Sequence, residues 1–395
     1  MPATAAQRRQ IFLLTWLSYG SYYLCRRPFA ISKATIATQY HLSESTLAWI
    51  DTSYLVAYAV GQFTAGLVCD RVGSRRLLGV GMLGVAAASV FFGFGSTAAV
   101  FAVAFSLNGL LQATGWPGAV KAMTSMYVAG ERGTVMGLWA TCYQVGGFVA
   151  TLLATWLLVH LGWRTAFFVP AAFTAAVGVV VMIFLWEPPL APPEARRAAS
   201  MAIVREPLLW ALGAAYFCVK LIRYCIVFWL PYMYERSLHY STAKAGYLSL
   251  SFDVGGVVGA VLSGWLFDKT GAQRGWLIVG LAVALGVASV SYMWVAPLGV
   301  VPAFAGMVLI GFLLFGPDAL VSSIAAQDLG GPEAAGTAAG FINGTGSVGA
   351  ILQGVVTAYV AQRWGWNAMF AVFGVLSLLA ATAVVPYAVA AQRGR

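Results

Sequence analysis

The sequence is poor in charge. Only 9% of its 395 residues are Asp, Glu, Lys or Arg and 60% are hydrophobic, whereas soluble domains carry about 25% charged residues. A water-facing surface of ordinary polarity cannot be built from this composition. Histidine and cysteine are scarce too, with three and five copies. Cys25, Cys69, Cys142, Cys218 and Cys225 lie in or at the ends of apolar runs, without the spacing of a metal site or a disulfide framework. They read as small core residues. His41, His160 and His239 fall at or near outer ends of apolar segments, again without metal spacing. No polar segment is long enough for a catalytic domain and no nucleophile–base pair is visible, so the reading is of a protein that is not an enzyme and needs no cofactor.

Long apolar runs are plentiful. Stretches of the roughly 20 residues needed to cross a bilayer recur from end to end. At membrane depth only helices or closed barrels satisfy the backbone, and continuous rather than alternating runs select helices. Breaks at charges and Gly/Pro clusters predict twelve, near 10–34, 46–69, 77–95, 98–127, 134–159, 164–186, 205–234, 243–267, 275–294, 298–327, 336–361 and 365–390. Run 11–25 imitates a signal-peptide core, but no convincing cleavage site follows it, and it reads as a retained first helix. The polar, proline-rich EPPLAPPEARRAAS (187–200) sits at the midpoint. The expected domains are a six-helix bundle at 1–186, a cytoplasmic linker at 187–204 and a second bundle at 205–395.

The net charge of +10 does not point to nucleic acid, because of where the charge lies. One set of loops holds Arg8, Arg9, Arg71, Arg75, Arg76, Arg132, Arg196, Arg197, Arg205, Lys269, Arg274, Arg393 and Arg395; the other holds Lys33, Arg164, Arg236, Lys244 and Arg363. Thirteen against five is the positive-inside bias, and it puts both termini in the cytoplasm. Five cations remain inside predicted helices: Arg26, Arg27, Lys121, Lys220 and Arg223.

The two halves repeat. GLVCDRVGSRR (66–76) returns as GWLFDKTGAQR (264–274), with Asp70 and Asp268 268−70 = 198 apart. Arg26 and Arg223 are 223−26 = 197 apart. GTVMG (133–137) and GTAAG (336–340) are 336−133 = 203 apart, as are GWRTAFF (162–168) and GWNAMFA (365–371). Two parallel homologous bundles related by a pseudo-two-fold axis along the membrane normal are expected, with a binding site where they meet.

An arginine at the centre of a spanning helix costs about 2.5–3.5 kcal/mol on insertion scales, so Arg26 and Arg223 are not expected to face lipid. Tyr19, Tyr23 and Arg26 share one helical stripe, and Lys220 and Arg223 share another. A phosphate monoester carries roughly −1.5 to −2 charges near pH 7. Guanidinium forks suit it, since they stay charged and donate paired hydrogen bonds. Two such cations about 10 Å apart repel by roughly 1.7 kcal/mol at an effective dielectric of 20. A bound dianion reverses that sign, so the carrier would reorient only when loaded.

Gly66-x-x-x-Asp70-Arg71-x-Gly73-x-Arg75-Arg76, with its degenerate copy around Asp268 and Lys269, resembles the loop signature of the major facilitator superfamily. Gly66 allows close helix approach, Asp70 can face a neighbouring helix N-terminus, and the arginines can form ion pairs that open and close. These residues are the expected cytoplasmic gate. Within that superfamily the chain resembles the organophosphate:phosphate antiporters, through YYLCRRPFA (22–30), ATGWPGAVK (113–121), LIRYCIVFWLPYM (221–233), FDVGG (252–256), GFLLFGP (311–317) and AAGTAAGF (334–341). The resemblance implies exchange of a phosphorylated metabolite for inorganic phosphate, with Arg26 and Arg223 on the phosphoryl group. It adds Trp116, Trp139, Tyr143 and Asn343 as cavity-facing positions. The chain departs from the glycerol-phosphate carriers at Gln62, Tyr143, Phe228 and Lys220, which bears on the organic part of the substrate.

The bland readings stand beside these. Lys121 is a candidate substrate-binding cation or, following the helix-breaking GWPG, lies nearer the cytoplasmic mouth. Lys220 has a structural pair with Asp253 as its alternative. Asp253 and Asp318 balance Lys220 or Arg27, or else serve as protonatable groups that couple charge. Gln62 and Gln112 bind substrate hydroxyls or merely tie helices. GVGMLG (79–84) lies in an apolar helix with no preceding strand and is no dinucleotide site. The expected protein is a functional monomer in a bacterial inner membrane. A membrane sensor for a phosphorylated metabolite and a proton-coupled carrier of a non-phosphorylated anion are the alternatives.

Overall fold

The computed structural model describes residues 4–124, 126–127, 131–188, 192–240 and 242–393. Residues 189–191 of the expected linker, and Arg395 among the basic residues, lie outside them. The described chain is helical: α1 Ala5–Tyr40, α2 Glu44–Val72, α3 Ser74–Phe94, α4 Ala98–Gln112, α5 Gly115–Thr124, α6 Arg132–Trp139, α7 Thr141–Leu161, α8 Thr165–Phe184, α9 Pro193–Arg205, α10 Pro207–Ser237, α11 Thr242–Lys269, α12 Arg274–Val295, α13 Val300–Ala319 and α14 Ala326–Gln392, with a π-helical turn at Leu320–Ala325. Among the described residues, ten stretches are long and apolar enough to cross a membrane, one of them running on from Val300 to Ala361. α1 is not among the ten, because Arg26, Arg27 and the tyrosines and serines before them lower its hydropathy. At about 1.5 Å per residue its 36 residues still exceed the roughly 30 Å of a bilayer core.

The structure corrects the expected helices in four places. The segments expected at 336–361 and 365–390 run together in α14, which passes through left-handed Gly331 and Gly365 without ending. The segment expected at 98–127 breaks at Ala113–Thr114, just before Pro117, whose ring removes a backbone donor. The segment expected at 134–159 breaks at Ala140. The linker is not wholly extended: PEARRAASMAIVR forms α9, with proline in its first position, Glu194 in its first turn and good helix formers after them.

Contacts group the chain into two compact units. The first is Met1–Tyr127 with Thr141–Arg205 and Gln327–Gly344; the second is Val128–Ala140 with Glu206–Ala326 and Thr345–Arg395. In the first, an aromatic core of Phe29, Phe92, Phe101, Phe105, Trp163 and Phe167 joins α1, α3, α4 and α8. In the second, α11 packs along α13, with Gly255, Gly259 and Gly311 so close to the facing backbone that an added methyl group would collide with it.

The sequence repeat is legible in the backbone. His41 and His239 both adopt left-handed φ (53° and 54°), and 239−41 = 198, the offset between Asp70 and Asp268. All five cysteines are buried and unbridged.

Candidate functional site

Arg26 lies in the first unit, half-buried, on the α1 stripe that also carries Tyr19 and Tyr23. Its guanidinium carbon sits 5.8 Å from the Tyr23 ring, 5.3 Å from Tyr54 and 5.7 Å from Tyr58. Faces of π rings attract a cation by about 0.5–2 kcal/mol each, so three of them offset part of the cost of burying the charge. α2 supplies two of the rings, one turn apart. Tyr54 donates to Gln112 Oε1 at 2.8 Å, and Gln112 Nε2 donates to the Tyr22 carbonyl at 3.1 Å, so Gln112 ties helices. Tyr19 meets Trp116 edge to face with ring centroids 5.3 Å apart. One turn beyond Tyr58, Gln62 is fully buried, and neither its amide oxygen nor its nitrogen has a hydrogen-bond partner among the described residues. Arg27 is exposed, with Gly147 of α7 beside its guanidinium.

In the second unit, Lys220 and Arg223 occupy one face of α10. Lys220 is buried, donates to Ser347 Oγ at 2.9 Å and lies 5.4 Å from the Tyr216 ring. Arg223 Nη1 donates to both oxygens of Asp318, at 3.3 and 3.2 Å. Its guanidinium covers the Phe315 ring at 4.7 Å. The sequence leaves Asp318 as a counter-charge to Lys220 or Arg27 or as a protonatable coupling group; the structure pairs it with Arg223, because α13 presents Phe315 and Asp318 three residues apart on the face toward α10. Asp253 is exposed on α11.

Two carboxylate clamps form the second constellation. Asp70 ends α2, fully buried. Its Oδ2 accepts from Thr337 N at 2.7 Å, and its Oδ1 from Gly336 N at 3.2 Å and Lys121 Nζ at 2.5 Å. The sequence places Lys121 either in the substrate site or nearer the mouth. It is instead the buried counter-ion of this clamp, because α5 carries it to the end of α2. Arg71, Arg75 and Arg76 are exposed, and none of them makes an ion pair among the described residues. The motif's cation is thus the lysine rather than its own arginines. In the second unit Asp268 accepts from Gly133 N at 2.7 Å and Thr134 N at 2.6 Å, at the first turn of α6. Exposed Lys269 lies over the Trp265 ring at 4.2 Å. A methyl group added to Gly66 would stand 2.7 Å from the Gly336 carbonyl, and one added to Gly264 2.2 Å from that of Gly133. The GTAAG and GTVMG repeats are therefore the docking partners of the two loop signatures, a relation that their shared offset does not reveal.

The linker grips the first clamp. Glu187 accepts from Ser74 N at 2.5 Å and from Arg75 N at 3.4 Å at the start of α3, where Gly73 leaves no room for a side chain. Arg196 donates to the carbonyls of Asp70 and Arg71 at the end of α2, and Ser200 bonds Thr337 at 3.2 Å. An anion thus meets a helix start and a cation a helix end, each the favourable pole. The sequence reading assigns no site role to Tyr54, Tyr58, Phe315, Glu187 or Arg196. The signal for the first two was available: Tyr54, Tyr58 and Gln62 fall at steps of four. Trp116, Trp139, Tyr143 and Asn343 are all buried. Among the described residues no group of three His, Cys, Asp or Glu side chains could hold a metal ion.

Twelve predicted spans in two repeats, charged residues inside the spans and paired loop clamps describe a polytopic membrane protein of the solute-carrier kind. The chain belongs to the Major Facilitator Superfamily, whose sequence profile matches residues 11–354. It is 29% identical to the membrane sensor protein UhpC of Salmonella typhimurium, over 96% of this chain and 91% of the relative. It is 27% identical to a probable hexose phosphate transport protein of Chlamydia trachomatis, over 96% and 90%, and 27% identical to the glucose-6-phosphate exchanger SLC37A2 of Mus musculus, over 91% and 88%. These relatives bear out the resemblance to the organophosphate:phosphate antiporters. Among solved structures, the human organic anion transporter MFSD10 superposes with a TM-score of 0.77 at 15% identity, over 95% of this chain and 99% of that one; this likeness concerns the fold.

Proposed function

We propose that the protein is a secondary active transporter that exchanges a small organophosphate, of the sugar phosphate or glycerol phosphate type, for inorganic phosphate by alternating access. The observation that carries this reading is Arg26, a permanent cation within the 36-residue α1, held by three tyrosine faces whose hydroxyls suit phosphoryl oxygens. Relatives named for hexose phosphate and glucose 6-phosphate support it. Arg26 and Arg223 hold the phosphoryl group, with Tyr19, Tyr23, Lys220, Trp116, Trp139, Tyr143 and Asn343 as lining. Buried amides seek partners, so Gln62 is the candidate for a substrate hydroxyl. Lys121 belongs to the gate, beside Gly66, Asp70, Gly73 and Asp268. The protein works as a monomer in a bacterial inner membrane, with both termini in the cytoplasm as the loop charges imply.

Proteoliposomes loaded with phosphate test the proposal. Labelled phosphate enters in exchange, glucose 6-phosphate and glycerol 3-phosphate compete, and glucose does not. Uptake indifferent to internal phosphate would sink antiport. Replacing Arg26 or Arg223 with lysine keeps the charge but removes the fork, and each change lowers exchange by roughly tenfold or more. A second reading, a membrane sensor of the same ligands, is favoured by the UhpC relatives. Saturable phosphate binding by the purified protein without any flux would select it.

A further inference from the structure

We propose that Asp318 is a tethered competitor for Arg223 that decides which anions the site admits: a phosphoryl dianion displaces it, and a carboxylate monoanion does not. The inference rests on the reading of Arg223 as a phosphoryl ligand and adds a selectivity filter to it.

Three observations carry it. First, the pair is built to be exchanged. Both bonds leave one nitrogen of the guanidinium, at 3.2 and 3.3 Å, beyond the 2.7–2.9 Å usual for charge-assisted N–H···O⁻ bonds. Asp318 is 1% exposed, while the Arg223 side chain keeps 17% of its surface open, so a ligand reaches the arginine without first uncovering the carboxylate.

Second, the backbone that carries Asp318 is the irregular part of its helix. Pro317 precedes it and lacks an amide donor. A π-helical turn, Leu320–Ala325, begins two residues after it; such turns are uncommon and gather at functional sites. Ser322 Oγ donates to the Asp318 carbonyl at 2.6 Å, a side-chain bond that competes with the helix ladder at that carbonyl. A carboxylate mounted there can withdraw at lower cost than one in an unbroken helix.

Third, the repeat isolates Asp318 as an addition. Aligned on their prolines, FGPDALV (315–321) and GWPGAVK (115–121) set Asp318 against Gly118. The half that carries Arg26 therefore has no carboxylate at the corresponding place.

The chemistry follows. An incoming carboxylate offers Arg223 what Asp318 already supplies, but without the advantage of being attached to the same molecule. A phosphate monoester offers close to two charges and three acceptor oxygens, and so displaces the tethered group. Selectivity arises by penalising the wrong anion as much as by favouring the right one.

The test uses full-length purified protein, labelled inorganic phosphate binding, and competition by glucose 6-phosphate and by glucuronate, a glucose ring whose C6 is a carboxylate. Wild type binds phosphate, yields it to glucose 6-phosphate and ignores glucuronate. Asp318→Asn binds phosphate roughly tenfold tighter, since Arg223 released from the competing carboxylate gains more from a ligand anion. In this variant glucuronate competes, and phosphate raises the melting temperature more than in wild type. A folded Asp318→Asn variant with wild-type phosphate affinity and no response to glucuronate overturns the inference while leaving the transport reading intact. Wild type that binds no phosphate overturns both. Should Asp318→Asn not fold, Asp318→Glu keeps the charge and must still exclude glucuronate. Competition by glucuronate in that variant, or in wild type, overturns the filter.

Discussion

The fourth spanning segment of each half carries one charge, and the two charges have opposite signs and different tasks. In GWPGAVK the charge is Lys121, which neutralises Asp70 at the first clamp. In FGPDALV it is Asp318, which neutralises Arg223 at the second arginine, and Val321 takes the register of Lys121. The first unit thus has a charge-neutralised clamp and an arginine against tyrosine faces. The second has a charge-neutralised arginine, and its clamp carboxylate relies on two backbone amides; among the described residues Asp268 makes no ion pair. A duplicated fold has assigned its scarce buried charges unequally. The two halves are accordingly not equivalent in what it costs to disturb them.

That inequality is open to direct attack. The largest effect is expected from Lys121→Met, which leaves Asp70 buried without its cation. Breaking a buried pair from one side costs about 3–5 kcal/mol, so the melting temperature in detergent falls steeply; a variant that melts like wild type would erase the contrast between the clamps. Asp268→Asn comes next. It keeps an acceptor for Gly133 and Thr134 but loses the charge, and hydrogen bonds to charged groups contribute about 1.5–3 kcal/mol. A smaller loss than for Lys121→Met is expected, and an equal or greater one would reverse the ranking. Smallest is Arg196→Ala, which removes the linker's cap from the end of α2 and costs about 1 kcal/mol. Raised proteolysis of α9 in this variant, with exchange little changed, would mark the grip as stabilising; abolished exchange would assign the linker a part in the transport cycle.

Much of the molecule is legible in the sequence. The spans follow from hydropathy, because a bilayer demands about 20 apolar residues whatever their neighbours. The duplication follows from landmarks at nearly constant spacing, and the left-handed His41 and His239 repeat it in the backbone. The expectation that a clamp carboxylate faces a helix start is met at Asp268, whose partners Gly133 and Thr134 open α6; Asp70 instead takes backbone amides ten residues inside α14 (336−326 = 10). The breaks at Ala113–Thr114 and Ala140, and the helix inside the linker, were not legible. The first two depend on packing, and the third on a docking surface that local composition does not show.

The sequence by itself determined that this is a helical membrane protein with a doubled plan and a small set of cations inside its spans. Helical periodicity and the cost of charge in lipid act on each segment separately, so each can be read segment by segment. Only the tertiary structure decided which carboxylate answers which cation, giving Lys121 to Asp70 and Asp318 to Arg223. Ion pairing depends on the depth and rotation of one helix against another, and those are set by close packing at residues such as Gly66 and Gly336, hundreds of positions apart along the chain.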